Sequence, residues 1–164
     1  MKEYVYYTDG ACTLNQTNGE YEKGPGGWGW VEVENDTIVK QRGWGSPNTT
    51  NNEMELSAIH NALCRYSEDH FKKDETSMVI YSDSAYCINI FTQWVKGWEA
   101  NGWTRGRKHE PIKNLELIQN IWAMIQLLST GFSDVKFVKV KGHSGDGWNE
   151  YADKIAVENK LKFS

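Results

Sequence analysis

Apolar and polar positions along this chain follow two different periods. YVYYT (4–8) is β-branched and aromatic and predicts a strand, WGWVEVE (28–34) alternates and predicts a second, and TIVKQRGWG (37–45) predicts a third, with END (34–36) turning between the last two. Three strands in succession imply an antiparallel meander. The stretch 13–27, rich in Gly, Asn and charge, predicts a loop. The period then becomes helical: Met54, Ala58, Ala62 and Tyr66 recur every four residues, and Leu56, Ile59 and Leu63 widen the stripe. That is a helix with one buried face, capped by the Thr or Asn before it.

MVIYSD (78–83) is short and apolar and predicts a buried strand parallel to the first. SAYCINIFTQWVKGW predicts a helix started by Ser84. Leu117, Ile118, Ile121, Trp122, Ile125 and Leu128 mark another over 114–128, VKFVKV (135–140) predicts the last strand, and NEYADKIAVENKLK (149–162) the last helix. A meander followed by alternating strands and helices is an α/β arrangement: a mixed sheet with helices on its faces.

At 164 residues the chain suits one domain, 1–164, with enough length to bury a core. Cys12, Cys64 and Cys87 form no CxxC pair and are odd in number, which speaks against a disulfide framework or a zinc site. No apolar leader and no membrane-length run is present, so a cytoplasmic protein is expected. The net charge of −4 means that any nucleic-acid surface must be local.

Four acids carry the candidate chemistry. Asp9 and Asp83 end apolar strands, Glu55 lies in the first turns of a helix, and Asp153 rides the last helix. If the two strands are adjacent and parallel, both Asp side chains emerge at one sheet edge. Any one of these acids alone reads as a cap or surface charge. Four together would repel strongly, and a hard divalent cation would relieve that repulsion through oxygen ligands. His143, in VKGHSG, sits between glycines in a loop and is suited to proton transfer if free to move.

YTDGAC, TTNNEMEL, YSDS, TQW…GW…GW, VKGHSG and NEYADKIA, in that order over about 4–160, resemble type 1 ribonuclease H of the bacterial kind. The resemblance implies a ribonuclease H-like fold, a five-stranded mixed sheet with helices on both faces. It implies an endoribonuclease that cuts the RNA strand of RNA–DNA hybrids, leaving 5′-phosphate and 3′-hydroxyl ends. Asp9, Glu55, Asp83 and Asp153 match the family's metal-binding carboxylates, and His143 matches a loop histidine that helps product leave or shuttles protons. Two Mg²⁺ ions, or Mn²⁺ in their place, would serve the phosphodiester chemistry. Asp9 would bridge them, with Asp83 and Glu55 holding one ion and Asp153 the other.

Reading RNA requires contact with 2′-hydroxyls, and the candidates are Cys12, Asn15, Asn51 and Asn52. The family pattern places the last two on the RNA strand. The stretch 94–114 looks like the family's basic protrusion: Lys96, Arg105, Arg107, Lys108 and Lys113 stand against Glu99 and Glu110. Trp94 is the candidate for a DNA sugar, whereas Trp98 and Trp103 would pack the protrusion itself. Thr50 and Asn114 match a pocket for a DNA phosphate. Ala85 stands where relatives often carry Gln, and Asn48 where some carry Arg, so two substrate contacts are in question. The insert QTNGEYEK (16–23) has no assigned role. A non-catalytic hybrid-binding module, a DNA-processing nuclease of the same fold and a domain cut from a larger polymerase are the alternatives. With no partner-binding motif, a monomer is expected.

Overall fold

The computed structural model describes residues 2–13, 15–17, 20–71, 75–131, 133–141 and 147–164, with the backbone alone for 15–17 and 20–22. The elements are β1 (Lys2–Cys12), β2 (Asn15–Thr17), β3 (Glu20–Glu22), β4 (Gly24–Glu34), β5 (Thr37–Thr49), α1 (Asn51–His70), β6 (Thr76–Ser82), α2 (Ala85–Asn89), α3 (Val95–Ala100), α4 (Leu115–Thr130), β7 (Ser133–Lys139) and α5 (Gly147–Lys162). β1, β4 and β5 form the expected antiparallel meander. Its second turn is tight because Asn35 and Asp36 take φ 52° and 57°, values that Asn and Asp tolerate and that two-residue hairpins demand. β6 runs parallel to β1, and β7 parallel to β6. The result is a mixed five-stranded sheet in the order β5-β4-β1-β6-β7.

Two expectations need correction. The 13–27 loop contains a small antiparallel hairpin of β2 and β3, and β4 already begins at Gly24. Strands of three residues are too short for a period, and the signal overlooked was the Asn-Gly dipeptide at 18–19. The helix after Ser84 is interrupted by a π-helical turn, Ile90–Trp94, where the Val95 N–H donates to Ile90 O. Thr92 Oγ1 donates to Ile88 O at 2.6 Å, a side-chain bond that competes with the regular helical ladder. Ser84 does start α2, its Oγ accepting from the Cys87 N–H at 3.1 Å.

The two sheet faces are covered differently. On one, Tyr6, Trp28, Trp30, Met78 and Ile80 pack with the buried stripe of α1 and with Ile118, Ile121 and Leu128 of α4. Each fully buried large side chain there contributes about 1.5–3 kcal/mol. On the other, α5 lies against a path of glycines on β4 and β5, with Ala152 and Ala156 fully buried. No helix among the described residues is long and apolar enough to cross a membrane.

Candidate active site

Alternation along β1 sends Asp9 to the α5 face and Gly10 to the α1 face. A Cβ on Gly10 would stand 2.5 Å from the Glu55 backbone N and 2.6 Å from the Met54 carbonyl carbon. The start of α1 thus approaches β1 to a distance that glycine alone permits. Thr50 holds that helix end, its Oγ1 accepting from the Glu53 N–H at 3.2 Å. The Gly10 N–H donates to Glu55 Oε1 at 2.8 Å and to Asp9 Oδ1 at 3.0 Å. Glu55 therefore joins Asp9 from the α1 side. Asp83 follows the last residue of β6, the parallel neighbour of β1, and arrives at the same sheet edge. Asp153 comes from α5, on the opposite face.

These residues meet around an open cavity of about 280 Å³ lined by Asp9, Gly10, Asn51, Glu55, Asp83, Ser84 and Asp153. Carboxylate oxygens of Asp9, Glu55 and Asp83 lie within 4.8 Å of one another. Asp9 and Glu55 are each only 3% exposed. Burial pushes the Asp9 carboxyl well above the usual carboxylate range, and Glu55, Asp83 and a hydrogen bond with Asp153 push it further. Burial also raises Glu55; the Asp9 hydrogen bond and the Gly10 N–H pull it back, while Asp83 and Asp153 push it up. The two titrate as one unit that holds a proton more tightly than a free carboxylate does.

The donor set fits a hard divalent cation. Every ligand atom is an oxygen, and Glu55 Oε2 is buried without a hydrogen-bond partner among the described residues. A second cluster, Glu32, Asp69 and His70, has comparable spacing but closes on itself. The Tyr6 hydroxyl donates to Glu32 Oε1 at 2.9 Å, His70 Nε2 lies 3.0 Å from Glu32 Oε2, and Lys40 pairs with Asp69. That cluster reads as a structural network, whereas the first has an oxygen left over.

Other residues singled out from the sequence fall elsewhere. Asn51 lines the cavity, while its neighbour Asn52 is exposed and does not. Cys12 is half-buried beside the carbonyl oxygens of Thr49 (3.3 Å) and Gly24 (3.7 Å), and burial raises its thiol pKa. Asn114, at φ 59°, donates through Nδ2 to the Tyr86 hydroxyl at 3.4 Å. No hydrogen bond among the described residues joins it to Thr50. Trp94 is 39% exposed and tilts against Trp98, their ring centroids 5.9 Å apart, while Trp98 and Trp103 pack partly on the core. Of the protrusion's cations, Arg105 alone has an ion pair among the described residues, with Glu110 at 3.3 Å. His143 and the Asn15 side chain lie outside the described residues.

Sequence reasoning passed over Asn149, one helical turn before Asp153. It is 3% exposed and its Oδ1 has no partner among the described residues. The signal was an Asn four residues before an Asp on a helix.

The RNase H family profile matches residues 1–160. A ribonuclease H from Syntrophomonas wolfei subsp. wolfei is 40% identical over 164 residues, 99% of this chain and 98% of that one. The chain belongs to the RNase H family. Among solved structures, LC9-RNase H1, a type 1 RNase H with the type 2 active-site motif, is similar with a TM-score of 0.76 and 27% identity, over 99% of this chain and 74% of that one. LC11-RNase H1, solved in complex with an RNA/DNA hybrid, is similar with a TM-score of 0.65 and 20% identity over 97% of each chain, a likeness of fold. Family membership carries the enzyme class expected from the sequence, a metal-dependent ribonuclease H, and the observed sheet is the five-stranded fold that the resemblance implied.

Proposed function

We propose that the chain is an endoribonuclease that hydrolyses the RNA strand of RNA–DNA hybrids with two Mg²⁺ ions, leaving 5′-phosphate and 3′-hydroxyl ends. The observation that carries this reading is the convergence of Asp9, Glu55 and Asp83 oxygens within 4.8 Å, with Asp153 on the same cavity, in a chain of the RNase H family. Asp9, Glu55 and Asp83 would hold one ion, and Asp9 with Asp153 the other. When bound, the ions supply an activated water and charge stabilisation for the leaving oxygen. The chain's own part is placement. Gly10 orients two ligand carboxylates through one N–H, and Asn51 presents an amide at the cavity rim for the RNA strand. His143 would assist proton transfer or product release, and Mn²⁺ would substitute for Mg²⁺. Cys12, Asn15 and Asn52 are assigned to the RNA strand; Thr50, Asn114 and Trp94 to the DNA strand. The chain would act as a monomer and one domain in the cytoplasm, gripping the hybrid with its 94–114 protrusion.

The test is cleavage of a labelled RNA–DNA hybrid with Mg²⁺ beside single-stranded RNA, duplex RNA and duplex DNA, with Asp9→Asn in parallel and end analysis of the products. Cutting confined to the hybrid's RNA strand and lost in Asp9→Asn supports the reading. Hybrid binding without cutting, or cutting of duplex DNA, sinks it.

A further inference from the structure

Asp9 and Gly29 are directly paired across β1 and β4, so they share the sheet face on which α5 lies. A Cβ on Gly29 would stand 2.6 Å from Ile155 Cγ2, 2.7 Å from Ile155 Cβ and 3.0 Å from the Ala152 carbonyl oxygen. Side chains do not approach that closely, so any residue larger than glycine lifts this turn of α5 from the sheet. Ala152 and Ile155 bracket Asp153. The turn that delivers Asp153 is therefore seated on the strand residue beside Asp9.

Among the described residues, Asp153 is the acid with the least other support. Asp9 and Asp83 are held by adjacent parallel strands, and Glu55 by the Gly10 N–H. The three gather their oxygens without Asp153, which joins them as a lining residue of the shared cavity. The seat of α5 sets its distance from them. Gly43, paired with Gly29 on β5, offers an internal comparison: a Cβ there would strike Ile155 and Asn159, but one strand farther from Asp9.

We propose that Gly29 is a positioning residue for Asp153, its missing side chain setting the distance between Asp153 and the other three carboxylates. The proposal rests on reading the cavity as a metal centre. A side chain at 29 then weakens the metal position served by Asp153 and leaves the one served by Asp9, Glu55 and Asp83.

The experiment compares Gly29→Ala, Gly43→Ala, Ile155→Ala, Gly29→Ala with Ile155→Ala, and Asp153→Asn. Mg²⁺ binding is read by titration calorimetry, the Mg²⁺ requirement by hybrid cleavage, and folding by melting without metal. Gly29→Ala is expected to weaken one Mg²⁺ position about 10–100-fold, the loss usual when support behind a metal ligand is removed. Gly43→Ala, whose nearest contacts include Ile155 Cγ2 but neither Ile155 Cβ nor the Ala152 carbonyl oxygen, is expected to lower the melting temperature and to weaken Mg²⁺ binding less than Gly29→Ala. The double variant removes the contact with Ile155 Cγ2 but keeps those with the Cβ of residue 155 and the Ala152 carbonyl oxygen, so it should fall between Ile155→Ala and Gly29→Ala. If Gly29→Ala does not fold, the double variant decides against Ile155→Ala alone, and equality of the two overturns the proposal. Native Mg²⁺ binding in folded Gly29→Ala, with Asp153→Asn impaired, overturns it also. Native binding and cleavage in Asp153→Asn would instead remove the metal reading, and the proposal with it.

Discussion

The Gly10 N–H donates to Glu55 Oε1 across 2.8 Å, and this bond exists because position 10 has no side chain. In Gly10→Ala the new Cβ meets the backbone of Met54 and Glu55. Backbone atoms cannot swing aside, so α1 must move as a body. Overpacking of this kind costs about 1–3 kcal/mol. Displacing Glu55 by even a fraction of its reach to Asp9 is expected to slow hybrid cleavage about 100-fold. Single-turnover rates beside a thermal melt check this, and a native rate in the folded variant would show that Glu55 need not sit against Gly10.

The buried acids make stability depend on pH and metal together. Asp9 and Glu55 have folded-state pKa values raised above those of free carboxylates, chiefly by burial. Their contribution is fully present below the unfolded pKa of about 4 and is lost as pH rises through the raised values. The metal-free protein should therefore lose stability from about pH 4 through neutrality. Mg²⁺ should restore more at pH 8 than at pH 5. Asp9→Asn removes a carboxyl that must hold its proton in the folded state at a pH where the unfolded chain releases it, and should stabilise the metal-free protein at pH 8 by about 1–2 kcal/mol, a melting rise of about 3–8 °C. A lower melting point for Asp9→Asn at pH 8 contradicts the account.

The second carboxylate cluster predicts the opposite behaviour. Glu32 is 1% exposed and takes a hydrogen bond from the Tyr6 hydroxyl at 2.9 Å. Burial, then Glu32, pushes the Tyr6 pKa far above its ordinary value, so the donor stays protonated. Tyr6→Phe leaves one Glu32 oxygen without its donor and should cost about 1–3 kcal/mol, with cleavage per folded molecule unchanged. An unshifted melting temperature would mean that water replaces the hydroxyl.

Strand and helix order was legible because most elements carry their own period. β6 is a run of apolar residues, and α1 shows seven buried apolar positions at helical spacing. Asp9, Glu55 and Asp83 were legible from their places at the ends of such runs, and Asp153, inside the last helix, from the NEYADKIA motif. What escaped has no local pattern. The π-helical turn at Ile90–Trp94 is a shift of one residue in backbone hydrogen-bond partner, which leaves the apolar spacing without a mark. Asn51 lines the cavity while Asn52 does not, a matter of about 100° of helical phase. Gly29 means nothing until α5, more than a hundred residues later, crosses β4 at that point. Packing between elements far apart in the chain leaves only a glycine in the sequence.

The 94–114 protrusion separates binding from chemistry. Lys96, Arg107, Lys108 and Lys113 are exposed, and Trp94, at the start of the same stretch, is 39% exposed. None of them lines the acidic cavity. Arg107→Ala with Lys108→Ala should therefore weaken hybrid binding uniformly across sequences, and the slope of log affinity against log salt should fall by about 1 for each phosphate that is no longer neutralised. Trp94→Ala removes a stacking surface whose loss costs about 1–3 kcal/mol, which should appear in KM. With the carboxylates untouched, kcat should hold in both variants. Steady-state cleavage at several salt concentrations separates the two parameters. A fall in kcat at constant KM would place these residues in the reacting geometry instead, because an interaction made only in the transition state lowers kcat and kcat/KM together when it is removed.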